Sequence, residues 1–137
     1  MIKKLWPAAL WSVVILVLTG MPGNYIPHVH NFWEWLSVDK LVHLFIFGTL
    51  VFLILFGIRE QYFNSTKRYM FGIVSVVITS LYGLITEILQ HYVFTGRNGN
   101  RFDFYADATG ALIGWLGFYL VYRKKIKASQ SNEKEID

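Results

Sequence analysis

Nine side chains in this sequence are of types that could do chemistry together: Asp39, Lys40, His43, Glu87, Gln90, Arg97, Arg101, Asp103 and Asp107. Arginine presents a planar fork that grips a phosphate or carboxylate through two parallel hydrogen bonds. Arg97, Arg101 and Lys40 could therefore hold an anion while Glu87, His43 and Gln90 read its remaining polar groups. The same set suits general acid–base work, with His43 as base or acid, Asp39 or Glu87 orienting its ring, and Arg97 stabilising an oxyanion. Glu87, Asp103 and Asp107 with His43 are also metal-ligand types. No zinc-type spacing such as His-Glu-x-x-His occurs, so the sequence assigns no metal, no other cofactor and no catalytic residue.

Spacing supports a shared site. Asp39 and His43 are four residues apart, Glu87 is three from Gln90 and four from His91, and Asp103 and Asp107 are again four apart. Residues three or four apart on a helix share a face, with Cβ atoms roughly 5–6 Å apart. Each of three helices would thus offer a polar stripe about one turn long. Asp39 and Asp103 could equally serve as N-caps, where a carboxylate meets free backbone N–H groups. Glu87 has no such alternative, because it lies near a helix carboxyl end; it calls for a cation, a proton or a ligand.

The elements that carry these residues are apolar. Hydrophobic residues make up 54% of the 137 residues and charged residues only 16%, against about 25% charged in a soluble domain. Residues 5–27 carry no charge, 41–58 hold one side chain that can be charged near neutral pH (His43), 69–86 none, and 104–122 only Asp107. A helix needs roughly 20 mainly apolar residues to cross a bilayer, and all four runs reach or approach that length. Apolar residues continue around every face, as in Val13-Val14-Ile15-Leu16-Val17-Leu18, which excludes amphipathic surface helices. The expected fold is an all-α membrane four-helix bundle. Cysteine is absent, so thiolate chemistry and disulfides are excluded.

Basic residues orient the bundle. Lys3, Lys4, Arg59, Lys67, Arg68, Arg123, Lys124, Lys125, Lys127 and Lys134 fall on one side of the expected spans; Lys40, Arg97 and Arg101 fall on the other. This split places both termini in the cytoplasm, and it turns the net charge of +4 into a topology signal rather than a nucleic-acid footprint. Every one of the nine candidate residues then lies at the outer ends of helices or in the outer loop. Lys3 and Lys4 before an apolar stretch resemble a signal peptide, but without a convincing small-x-small cleavage site the segment reads as an uncleaved span. Met21-Pro22-Gly23-Asn24 reads as a turn, residues 31–36 as a short interfacial helix, and His28 and His30 as solvated loop. The chain divides into a membrane domain, 1–123, and a polar tail, 124–137, that reads as a helix end followed by a disordered stub.

Asp39-Lys40-x-x-His43 opening a span, Gly83-x-x-x-Glu87-x-x-Gln90, Gly96-Arg97 leading into Asp103, and Gly110-Ala111-x-x-Gly114 together resemble the VanZ-like family of bacterial membrane proteins. The likeness runs from the first span, with Pro7 and the Met21-Pro22-Gly23 turn, to the fourth. It implies a multi-pass protein of a bacterial cell membrane linked to the envelope. The family is named for a protein associated with teicoplanin resistance, a property that does not transfer with a fold. The family usually has asparagine four residues after the aspartate, where this chain has Asp107, and Arg101 lies outside the usual pattern.

Three functions fit these residues. The first is binding of a polar or anionic envelope molecule, such as a lipid-linked phosphate or a peptide carboxylate. The second is a structural polar knot, and the third an intramembrane enzyme acting on a lipid headgroup. Binding ranks first, because ionisable groups inside a membrane protein are functional by default.

Overall fold

The computed structural model describes residues 4–20, 38–93 and 101–134. Five helices account for nearly all of them: α1 (Trp6–Gly20), α2 (Val38–Gly57), α3 (Arg59–Asn64), α4 (Arg68–Tyr92) and α5 (Arg101–Lys134). The 21–24 turn, His28, His30 and the 31–36 interfacial helix fall outside the described residues. At 1.5 Å per residue, α2 is about 30 Å long, the thickness of a hydrocarbon core, and α4 and α5 are longer. These three helices are long and apolar enough to cross a membrane; α1 is apolar but spans 15 residues. Pro7 sits in the first turn of α1, where its missing N–H leaves no hydrogen bond unmade.

Helix α4 is sorted in the opposite sense to a helix of a soluble bundle. On α4 the buried positions are Arg68, Gly72, Ser75, Thr79, Gly83, Thr86, Glu87 and Gln90, recurring every three or four residues, and all are small or polar. The opposite face exposes Ile73, Val77, Leu81, Leu84 and Ile88. A helix that hides its polar stripe and shows its apolar one is built for an apolar solvent. Two of the inner hydroxyls are satisfied within the helix: Ser75 Oγ donates to Phe71 O at 2.8 Å and Thr86 Oγ1 to Gly83 O at 2.7 Å.

Helices α2 and α5 form the most extensive pair, and small residues explain it. Gly48 lies against Gly110, and Gly110 and Gly114 meet the Leu44 and Gly48 carbonyls, so that backbone packs on backbone. The Gly110-x-x-x-Gly114 pair therefore makes its contact within the chain. Helix α1 is tied on by long polar side chains. Trp11 Nε1 donates to Ile46 O at 2.9 Å, Tyr82 Oη to Ser12 O at 2.6 Å, and Gln90 Nε2 to Thr19 O at 2.9 Å.

At the other end of the bundle α3 interrupts the connection between α2 and α4. The Tyr62 ring is fully buried beside Phe118, edge-on at 5.3 Å, and its hydroxyl accepts a hydrogen bond from Trp115 Nε1 at 3.0 Å. Burial holds the Tyr62 phenol above its ordinary pKa, partly offset by the Trp115 bond. Lys4 pairs with Glu60 at 2.8 Å and holds that exposed carboxylate below its ordinary range. Helix α5 does not stop at the span. It continues through Lys134, where composition reads as a helix end and a disordered stub, because Ile126 is buried and Ser129 Oγ meets Asn64 Oδ1 at 3.2 Å.

Candidate functional site

Three helix ends meet at the pole away from α3: the start of α2, the end of α4 and the start of α5. His43 is the sixth residue of α2, Glu87 lies five residues before the end of α4, and Asp107 six residues into α5. Each is thus about 7–9 Å inside its helix end by the helical rise. The spacing derived above holds here: Asp103 and Asp107 both turn inward, as do Glu87 and Gln90. His91, one position further, is exposed and stacks edge-on with Tyr92.

The geometry centres on His43, which is 1% exposed. Its Nδ1 lies 2.8 Å from Asp107 Oδ1 and 4.0 Å from Glu87 Oε1. One proton bridges this 2.8 Å contact between imidazole and carboxyl. Phe47, one turn along α2, stacks beneath the imidazole with ring centres 6.1 Å apart and keeps it from tilting into the bundle. Glu87 and Asp103 complete the cluster. One donor atom each from His43, Glu87 and Asp103 lie within 4.8 Å of one another, and all three residues are buried. These are the described residues that could hold a metal.

Gly83 makes room for this arrangement. A Cβ there would stand 2.6 Å from Asp107 Oδ2 and 3.0 Å from Asp107 Cβ, so any side chain would push Asp107 off the histidine. The Gly83-x-x-x-Glu87 spacing is thus one device: the glycine admits the carboxylate from α5, and the glutamate meets it one turn later.

The structure brings together His43, Glu87, Asp103 and Asp107. Gln90 is 1% exposed and spends its amide N–H on Thr19 of α1. Lys40 stands at the rim, its Nζ 5.7 Å from the Phe102 ring centre, a cation–π contact. Asp39 lies in the first turn of α2 and Arg101 opens α5, but their side chains, like Arg97, fall outside the described residues. Thr86 and Thr79 share the buried stripe of α4 and were not singled out from sequence. Their signal was present: 79, 83, 86, 87 and 90 recur at helical spacing, but threonine in an apolar run reads as neutral.

A buried His–carboxylate cluster gathered from three membrane-length helices, with glycines at its margins, is the order of motifs on which the resemblance rested. Residues 3–122 match the VanZ/LLP1 family. The chain belongs to that family. No match was found among curated proteins or among solved structures. Within the VanZ/LLP1 domain the cluster is the principal concentration of buried titratable groups among the described residues; Arg68, at the opposite pole, is the remaining buried charge. Chemically the cluster can hold a cation, pass a proton between imidazole and carboxylate, or present polar groups to a headgroup. This VanZ/LLP1 chain is a membrane protein by its helices and its family.

Proposed function

We propose that this VanZ/LLP1 protein binds the anionic head of an envelope molecule, a lipid-linked phosphate or a peptide carboxylate, at the outer end of its bundle. In this reading it spans a bacterial cell membrane with both termini in the cytoplasm. The observation that carries the proposal is the convergence of His43, Glu87, Asp103 and Asp107 from three helices at one pole. Tying helices together needs one or two polar contacts, and Gln90 to Thr19 already supplies such a tie. Four ionisable groups buried in an apolar solvent are far costlier than that purpose requires. Arg97 and Arg101, six and two residues before Asp103 in the sequence, are the cations that would meet an anion there. Lys40 at the rim adds a third cation.

The test is a melting shift of the purified protein with farnesyl phosphate against farnesol, and with an acylated dipeptide against its amide. Binding predicts a shift with at least one anion and none with its neutral partner. Glu87→Gln and Arg97→Ala should keep membrane level and melting point but lose that shift. If both variants fail to accumulate and no anion shifts the wild type, the cluster is a structural knot. Orientation is checked separately: a reporter fused after Ile136 should report cytoplasm, and an external signal there would move the site to the wrong side.

A further inference from the structure

We propose that His43, Glu87, Asp103 and Asp107 form a binding site for one divalent transition-metal cation, Mn²⁺ or Zn²⁺, which presents open coordination positions to the anionic headgroup. The inference deepens the proposed function and rests on the cluster being a binding site.

The first ground is geometry. His43 Nδ1 points between two carboxylates, 2.8 Å from Asp107 and 4.0 Å from Glu87. Donor atoms of His43, Glu87 and Asp103 lie within 4.8 Å of one another. Metal–ligand bonds of about 2.0–2.2 Å place neighbouring ligand atoms roughly 3.0–3.5 Å apart. The Asp107–His43 pair is already near that spacing, and the others reach it by side-chain rotations of about 1 Å. The donors come from α2, α4 and α5, so the pattern of no single helix accounts for their meeting.

The second ground is the chemistry of the donor set. Imidazole suits Zn²⁺ and its neighbours, while carboxylates suit Mg²⁺, Ca²⁺ and Mn²⁺. One imidazole with carboxylates meets both preferences at Mn²⁺ and Zn²⁺. The cation takes the place of the bridging proton, since a metal-ligating imidazole must be neutral and unprotonated at the ligating atom.

The third ground is burial. Glu87, Asp103 and Asp107 are all buried, and a divalent cation held among them gives the headgroup a direct bond. A mixed protein–phosphate or protein–carboxylate shell of this kind is common for such ions.

The full chain, purified in detergent, treated with EDTA and then freed of it, is titrated with Mn²⁺ and followed by electron paramagnetic resonance. Expected are one bound Mn²⁺ per chain, displaced by Zn²⁺, and a pulsed-resonance coupling to a directly bonded imidazole nitrogen. Asp103→Asn and Glu87→Gln should weaken binding at least tenfold, and His43→Gln should remove the nitrogen coupling. The wild-type spectrum stands even if a variant does not fold. Absence of saturable Mn²⁺ or Zn²⁺ binding to protein of unchanged helicity overturns the proposal. So does bound Mn²⁺ without nitrogen coupling. A farnesyl phosphate shift that persists in EDTA overturns the cation but leaves anion binding intact. Bound Mn²⁺ with no anion-dependent shift does the reverse.

Discussion

Replacing Gly48 with alanine should both loosen the bundle and disconnect the site, although Gly48 touches none of the site residues. The new Cβ would stand 2.8 Å from Gly110 O, 3.5 Å from Gly110 C and 3.8 Å from Gly114 N. All three are backbone atoms, so no rotamer change relieves the contact. Ordinary contact begins at 3.4 Å, which requires α2 and α5 to part by about 0.6 Å. A gap of 0.5–1 Å forfeits roughly a quarter to a half of the dispersion energy of the atoms that face it. Overpacking of this kind costs about 1–3 kcal/mol. His43 and Asp107 sit on the same two helices, just beyond the glycine contact. Moved apart by the same amount, their 2.8 Å bond becomes about 3.4 Å, outside the range of an N–H···O hydrogen bond. Losing a charge-assisted bond removes a further ~1.5–3 kcal/mol. Alanine's better helix propensity returns at most ~1 kcal/mol. The net expectation is a loss of about 2–5 kcal/mol in detergent unfolding, together with a shift of the His43 Nδ1 resonance in ¹⁵N spectra. Gly117→Ala is the control, since a Cβ there meets nothing within 4 Å; it should be neutral or slightly stabilising. A Gly48→Ala protein that unfolds at the wild-type midpoint with an unchanged Nδ1 signal would refute the reasoning.

Asp107→Asn keeps the shape and a neutral acceptor for His43; it should accumulate normally and lose only ~1–2 kcal/mol, read by unfolding in detergent. Tyr62→Phe leaves the Trp115 N–H without its acceptor and should cost about 1–2 kcal/mol, with a change in Trp115 fluorescence. In the wild type the raised Tyr62 pKa means that the folded state holds the phenolic proton more tightly. Its contribution is full below the unfolded tyrosine pKa near 10 and falls as pH rises toward the folded value, which an alkaline absorbance titration checks. Glu60 behaves oppositely, because Lys4 lowers its pKa. Its small contribution is present above the unfolded value and lost as pH falls through the folded one, and Lys4→Ala should return its carboxyl ¹³C titration to the ordinary range.

Much of the site was legible as a helical stripe. His43, Glu87, Gln90, Asp103 and Asp107 were found because residues three or four apart share a face and because charge is expensive in an apolar run. The inward turn of Asp103 and Asp107 follows from the same cost. Lys40 belonged to the pattern by spacing, but its long chain reaches the exposed Phe102 ring rather than a described carboxylate. Ser75 and Thr86 carry no such signal because their hydroxyls are satisfied by their own helix, so nothing in the sequence obliges them to face inward. Tyr62 gave no signal at all. Its burial depends on α3 folding back under Phe118 and Trp115, and a six-residue helix has too few residues to show a period.

The sequence by itself determined three membrane-length spans, a shorter apolar first helix where a fourth span was expected, and the helix ends that carry the polar residues. These follow from length, hydropathy and helical repeat, which are local quantities. Only the tertiary structure decided which polar atoms meet. That Nδ1 of His43 faces Asp107, and that Gly83 admits Asp107, depend on the rotation and separation of three helices. Those are set by where backbones can touch, at Gly48, Gly110 and Gly114, and contacts between residues more than 60 positions apart leave no trace in local spacing.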